Sequence, residues 1–112
     1  PVTDLDRSID FYRGVLGLPL IDRPAFRFPG AWFGMGNGQE LHLIVVEDEP
    51  VATPQQLHTA YAVDQLDAFV EKLQEHEIPF RGPNARPDGT RQIFLRDPDG
   101  HVIELCQLRK RV

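Results

Sequence analysis

Residues 99–105, DGHVIEL, indicate the fold because they have a counterpart earlier in the chain. Residues 37–43 read NGQELHL, with the same kind of turn followed by the same kind of extended segment, at an offset of 62 residues. A second pair of segments, residues 2–6 and 63–67, is offset by 61 residues, and each joins the end of a strand to the start of a helix. Two correspondences in the same order and at nearly the same offset predict an internal repeat.

Hydrophobic spacing and turn residues predict the same order of elements in both copies. A helix is predicted over residues 5–16, capped by the Asp4 carboxylate and ended by Gly17, and a second helix over residues 66–76. The predicted turns are Pro29-Gly30, Asn37-Gly38 and residues 97–100. The predicted strands cover residues 18–21, 31–35, 41–46, 57–63, 78–80, 91–95 and 102–108. Each copy is therefore predicted to be a strand–helix–strand–strand–strand module, which places the chain in the α+β class.

The size of each copy predicts how the modules are organised. Module one covers about residues 1–48, an acidic, proline-containing linker about 47–55, and module two about 56–112. A module of this size is too small to bury its apolar face alone, so we expect the two to pack together as one domain or to swap between chains.

Composition excludes several classes of function. The 12 Lys and Arg residues against 17 Asp and Glu give a net charge of −5, which argues against a nucleic-acid partner or a polybasic membrane surface. No apolar run approaches the roughly 20 residues of a membrane helix. One cysteine, Cys106, excludes an internal disulfide framework and is typical of a reducing compartment, so we expect a cytoplasmic protein.

Three side chains are candidate metal ligands. The repeat places His42 and Glu104 at equivalent positions, and alternation along a strand sends both to the same face. His58 begins a strand whose next same-face residues, Ala60 and Ala62, are small and leave space. These three residues converge if a pseudo-twofold axis relates the modules. Imidazole nitrogen and carboxylate oxygen suit Zn, Ni, Mn or Fe(II), and such a set leaves coordination positions open for substrate.

Two segments resemble a known family. Residues 2–17 (VTDLDRSIDFYRGVLG) look like the opening helix of the glyoxalase / bleomycin-resistance / extradiol-dioxygenase families, the vicinal oxygen chelate superfamily, and residues 94–105 (FLRDPDGHVIEL) resemble its terminal strands. The resemblance covers essentially the whole chain. It implies tandem βαβββ modules that form a cupped mixed sheet around one divalent metal ion, and a small-molecule substrate that chelates this ion through oxygen. We also expect a homodimer.

The resemblance also assigns roles to residues. It carries metal ligands onto His58 and Glu104, and a third ligand position falls on His42. It implies that Glu104 is the catalytic group that moves a proton. It places Gln92 and Phe94 on the inner, substrate-binding face, and Trp32 is the repeat equivalent of Phe94. A further histidine is expected five residues before Val2, upstream of the first residue of this sequence.

Departures from individual members of the family narrow the function. Sequences similar to glyoxalase I tend to have Arg where Pro1 stands and Asn where Val46 stands, and neither replacement can grip the charged end of glutathione. Extradiol dioxygenases mostly use two tandem pairs of modules. A fosfomycin-resistance-like thiol transferase would need a cationic pocket, for which Arg91 and Arg96 lie on opposite faces of their strand. A metal-free bleomycin-resistance-like binding protein has no need of the three ligands.

From these comparisons of pattern we predict a metal-dependent, glyoxalase-like enzyme of lyase, isomerase or dioxygenase type that is not a true glutathione-dependent glyoxalase I. The thiol transferase and the metal-free small-molecule binding protein are the alternatives.

Overall fold

The computed structural model describes residues 1–47, 51 and 57–108. The chain divides into two compact units, Pro1–Ala52 and Thr53–Val112. Apart from Glu47 and Val51, the predicted linker over residues 47–55 lies outside the described residues. None of the helices within the described ranges has the length and apolar character needed to cross a membrane.

The first unit begins with the predicted helix, whose second half has a wider winding. Helix α1 covers Leu5–Ile9, and the Asp4 carboxylate accepts the backbone N–H of Arg7 at 3.1 Å, which confirms the predicted cap. The helix continues as a π-helical segment, Asp10–Val15, and ends before Gly17, whose φ is +75°. The π-helical winding was not predicted. It accompanies burial of neighbouring residues on the helix, since the Phe11 and Tyr12 rings are both buried.

The sheet of the first unit is antiparallel and contains three strands. Strands β1 (Leu20–Ile21), β2 (Gly30–Gly36) and β3 (Gln39–Ile44) lie in the order β1-β2-β3. Val2 forms a parallel bridge with Val45 beside β3. The predicted turn at Asn37-Gly38 joins β2 to β3, and both residues have positive φ, as a two-residue hairpin turn requires. The core of this unit consists of Val2, Phe11, Tyr12, Val15, Leu16, Ala31, Phe33 and Leu43.

The second unit places a helix on one face of a four-stranded sheet. Its elements are β4 (His58–Ala62), α2 (Leu66–Glu75), β5 (Phe80–Ala85), β6 (Arg91–Arg96) and β7 (Val102–Gln107). The strands lie in the order β4-β7-β6-β5, with β4 parallel to β7 and the other pairs antiparallel. The core joins Leu66 and Leu73 of α2 to Ile93, Leu95, Ile103 and Leu105 of the sheet.

The predicted repeat is visible in the strand order of the two units. In each, the segment before the helix pairs in parallel with the last strand, and the three strands after the helix follow as antiparallel neighbours. The predicted α+β fold with tandem βαβββ modules is therefore confirmed. In the first unit the opening strand is represented by the Val2 bridge alone.

One predicted strand is misplaced. The sequence predicts a strand over residues 78–80, whereas β5 covers Phe80–Ala85. Because Gly82, Pro83 and Asn84 have the composition of a turn, no strand was predicted over these residues. An edge strand accepts a proline because its outward N–H needs no partner, and β5 is an edge strand with a register shift between Arg81 and Asn84.

Candidate metal centre

The pairing of β4 with β7 brings His58 and Glu104 together. In this parallel pair His58 lies opposite Val102, and Ala60 lies opposite Glu104, so the two side chains occupy diagonal positions on one face. The His58 Nε2 atom is 3.4 Å from the Glu104 Oε1 atom. The His58 side chain is 36% exposed and the Glu104 side chain 9%, so the imidazole stands at the rim and the carboxylate lies beneath it.

The distance between the His58 nitrogen and the Glu104 oxygen fits two ligands of one divalent ion. At 3.4 Å the contact is longer than an ordinary N–H···O hydrogen bond, which spans about 2.7–3.2 Å. Two donors that each lie about 2.0–2.1 Å from one tetrahedral ion are separated by about 3.3–3.4 Å. One imidazole nitrogen and one carboxylate oxygen also suit the ions predicted from the sequence. Chemistry and spacing therefore both fit a pair of metal ligands.

Glu104 is a buried carboxylate in an apolar setting. Strand β7 lies between β4 and β6, and on the shared face Glu104 has Ala60 on one side and Phe94 on the other. Burying an ionised carboxylate is costly unless a charge or hydrogen-bond donors compensate. Within the described part of the chain, His58 is the one basic side chain that forms an ion pair with Glu104. A buried carboxylate with a single basic partner is typical of a functional site.

Cys106 is buried and lies two residues after Glu104 on the same face of β7. Burial raises the pKa of the Cys106 thiol, and the nearby negative charge of Glu104 raises it further, while Arg86 opposes both effects. The Sγ atom donates to the backbone carbonyl of Tyr61 at 3.5 Å. Cys106 is therefore a buried thiol that is hydrogen-bonded to the neighbouring strand β4.

Gln92 and Phe94, the predicted substrate-binding residues of β6, lie on the face of the ligand pair. Phe94 is directly opposite Glu104, and Gln92 is opposite Cys106. The edge of the Phe94 ring faces His58, with 6.1 Å between ring centroids and 74° between ring planes. A molecule bound beside His58 would touch this ring. Contact with substrate itself stays a prediction for both residues.

The two candidate arginines of β6 lie on opposite faces, as alternation predicts. Arg91 faces the helix side and donates to both carboxylate oxygens of Asp67, at 3.0 and 3.4 Å. These hydrogen bonds lower the pKa of the Asp67 carboxyl below its ordinary value. Arg96 is on the face of Glu104, and its Nη1 donates to the backbone carbonyl of Gly100 at 2.6 Å. Of these two arginines, Arg96 is therefore the one that lies on the face of Glu104.

The first unit holds the other two predicted site residues, His42 and Trp32. Trp32 lies directly opposite His42, which is the register that Phe94 and Glu104 have in the second unit. Their rings are stacked, with centroids 3.8 Å apart and planes 1° apart. The His42 Nε2 atom lies 3.0 Å from the Glu40 Oε1 atom, and both side chains are about two-fifths exposed. The assignments of His42 as third ligand and of Trp32 as substrate-binding stay predictions.

An exposed group of rings on the first unit was not predicted. Phe26 and Phe28 are stacked 5.1 Å apart, Phe26 also contacts Trp32, and the guanidinium of Arg23 lies 5.0 Å from both phenylalanine rings. With His42, the residues Phe26, Phe28 and Trp32 form what we call the aromatic cluster. The only signal in the sequence was the spacing of two aromatic residues in a proline-bounded loop, which does not predict a contact.

The described residues contain no group of three or more His, Cys, Asp and Glu side chains placed to hold a metal. Of the predicted ligands, the structure thus brings together the pair in the second unit, His58 and Glu104.

Comparison with known proteins identifies relatives along nearly the whole chain. The family model described as Glyoxalase/Bleomycin resistance protein/Dioxygenase superfamily matches residues 1–105. The chain is 31% identical over 111 residues to Glyoxylase I 4 of Arabidopsis thaliana, a match that covers 91% of this chain and 63% of that longer protein. It is also 31% identical over 116 residues to lactoylglutathione lyase of Escherichia coli O157:H7, covering 95% of this chain and 86% of that enzyme.

Solved structures agree with these relatives. A putative glyoxalase family protein from Bacillus anthracis has a TM-score of 0.84 and 30% identity, covering 97% of this chain and 88% of that chain. TnmS3, an antibiotic binding protein from Streptomyces sp. CB03234, has a TM-score of 0.75 and 32% identity, covering 97% of this chain and 90% of that chain. Relatives described as enzymes and as a binding protein therefore share this fold.

Proposed function

The chain belongs to the Glyoxalase/Bleomycin resistance protein/Dioxygenase superfamily, and from that membership we propose that it is a divalent-metal-dependent enzyme acting on a small substrate that presents oxygen atoms to the metal. The observation that carries this proposal is the ligand pair, in which His58 Nε2 and Glu104 Oε1 are 3.4 Å apart on one face of the second unit. The reaction is of lyase, isomerase or dioxygenase type.

His58 and Glu104 would hold the ion. When bound, a divalent ion supplies Lewis-acid stabilisation of negative charge on a substrate oxygen. The protein contributes space for a substrate, because Ala60 is small, and a largely buried position for the Glu104 carboxylate, whose side chain is 9% exposed. Glu104 is the proposed proton acceptor, since a carboxylate has a second oxygen, Oε2, available for a substrate C–H or O–H proton.

We do not assign the substrate of the relatives named lactoylglutathione lyase to this chain. The proposed enzyme does not use glutathione, because Pro1 and Val46 stand where glyoxalase I-like sequences have Arg and Asn. A proline and a valine offer no charge or side-chain donor to a peptide carboxylate. The homodimer and the cytoplasmic location stay predictions from the sequence.

Metal analysis of the purified full chain tests the proposal. We expect bound divalent ion in the wild-type protein and strongly reduced metal content in His58→Ala, because that variant loses the rim ligand of the pair. His76→Ala is the matched control, since it removes an exposed imidazole at the end of α2 and is expected to keep the metal. No bound ion in the wild type after incubation with Zn²⁺, Ni²⁺, Mn²⁺ and Fe²⁺, with His58→Ala behaving identically, would refute the enzyme proposal.

A second candidate is a metal-free protein that sequesters a planar small molecule. The aromatic cluster favours it, because Phe26 and Phe28 each keep more than two-fifths of their surface exposed and present stacked rings to solvent. TnmS3, an antibiotic binding protein with a similar fold, is consistent with such a role. The same metal analysis separates the two candidates, because this function requires no ion at His58.

A further inference from the structure

The second unit contains a cleft of about 460 Å³ that includes Phe94, a predicted substrate-binding residue, and extends beyond the predicted site. Its walls come from the ends of β5, β6 and β7, and its volume lies within the range of small-molecule sites. The apolar part is formed by Phe80, Phe94, Leu95 and Val102, and the charged part by Arg81 and Arg96.

The cleft adjoins the ligand pair through Phe94. The Phe94 ring contacts His58, with 6.1 Å between the ring centroids. It also contacts Arg81, whose guanidinium carbon lies 5.6 Å from the Phe94 ring centroid. Val102, a second wall residue, is opposite His58 in the pairing of β4 with β7. A molecule lying along Phe94 would therefore extend from the guanidinium groups toward the imidazole.

The charge of the cleft is opposite to that of the chain. The net charge is −5, yet the lining includes two arginines and no acidic residue. Arg96 is oriented by its hydrogen bond to the Gly100 carbonyl, which leaves its other N–H groups available. Arg81 is exposed, and in the described part of the chain it forms no ion pair with a carboxylate. Guanidinium groups that no carboxylate neutralises are suited to bidentate binding of an anion.

We propose that this cleft binds the anionic end of a small organic acid, a carboxylate or phosphonate, whose flat apolar body lies against Phe94. Arg81 and Arg96 hold the anion, and the remainder of the molecule points toward His58 and Glu104. The inference rests on the proposed function for the reaction and adds the substrate class to it. Binding of the anion itself requires no metal.

Calorimetric binding of phenylphosphonate to the chelator-treated full chain tests this inference, with benzyl alcohol as the neutral comparison. We expect phenylphosphonate to bind more tightly than benzyl alcohol, and we expect its binding to weaken with added salt. Arg81→Gln should lower the affinity of the protein for phenylphosphonate about 10-fold or more, because a charge-assisted contact is lost. Arg81→Lys should restore part of the affinity. Arg91→Gln is the matched control, since Arg91 is half-exposed on the same sheet but bound to Asp67 on the helix side.

Three results would overturn the inference. They are no binding of phenylphosphonate, equal binding of benzyl alcohol, and an affinity for phenylphosphonate that is unchanged in both Arg81→Gln and Arg96→Gln. Binding that appears only after divalent ion is restored and is lost in His58→Ala would overturn it too, while supporting the metal site. Arginine-dependent binding by a chain that takes up no metal would support the inference and refute the proposed enzyme.

Discussion

Replacing Glu104 by Gln is expected to remove most of the affinity for a divalent ion without damaging the fold. The neutral amide keeps the size of the side chain but loses the anionic donor of the pair. Substitution of residues that merely support a ligand costs about 10–100-fold in metal affinity, so loss of the ligand itself should cost about 100-fold or more. Any activity assigned to the protein should fall with the metal, because Glu104 is also the proposed proton acceptor.

The stability of the metal-free Glu104→Gln variant separates a functional role from a structural one. Because the carboxylate is buried among apolar neighbours, its replacement by an amide removes an unfavourable desolvation. We expect a thermal midpoint equal to or above that of the metal-free wild type, measured by circular dichroism. Glu75→Gln, an exposed change at the end of α2, should alter neither property. A strongly lowered midpoint with unchanged metal affinity would make Glu104 a structural residue and contradict the account.

Truncating Leu73 to Ala should cause the largest loss of stability among the changes considered. Leu73 is fully buried where α2 packs on the sheet of the second unit, and such truncations cost about 2–5 kcal/mol. The cost has two parts, the lost transfer of apolar surface and the cavity left behind. Urea unfolding followed by circular dichroism measures it as a shift of the transition to lower denaturant.

Leu57 provides the matched control for this measurement. It is also a leucine of the second unit but is 71% exposed, so Leu57→Ala should change the free energy of unfolding by no more than about 0.5 kcal/mol. Leu73→Met should cost less than about 1.5 kcal/mol because it conserves volume, and it remains measurable if the alanine variant does not fold. Equal effects of the two alanine substitutions would contradict the packing described for α2.

Local signals in the sequence were enough to predict the register of the modules. Turn residues and strand alternation are local properties, and they predicted that His42 corresponds to Glu104 and Trp32 to Phe94. In the structure His42 lies opposite Trp32 and Glu104 opposite Phe94, so the two pairs have the same register. The helix cap at Asp4 was predictable for the same reason, since donor and acceptor are three residues apart. The family resemblance was carried by segments of this kind, residues 2–17 and 94–105.

Features that depend on distant residues were not predictable. Gln65 provides no side-chain cap for α2, and Gln107 of β7 instead accepts the N–H of Leu66, 41 residues away. The position of β5 required its place at a sheet edge, and Arg81 could not be assigned to a face until that strand was known. The equivalent residues His42 and Glu104 also differ in exposure, at 41% and 9% of the side chain, because their surroundings differ.

Binding of one ion by His58 and Glu104 can be observed in the imidazole resonances of the full chain. The chain has four histidines, and two-bond ¹H–¹⁵N spectra report each ring nitrogen during a titration with Zn²⁺. We expect His58 Nε2 to shift in proportion to added Zn²⁺, the shift to be lost in Glu104→Gln, and exposed His76 to be unaffected. A His58 Nε2 resonance that does not move at saturating Zn²⁺ would show that the pair does not bind the ion.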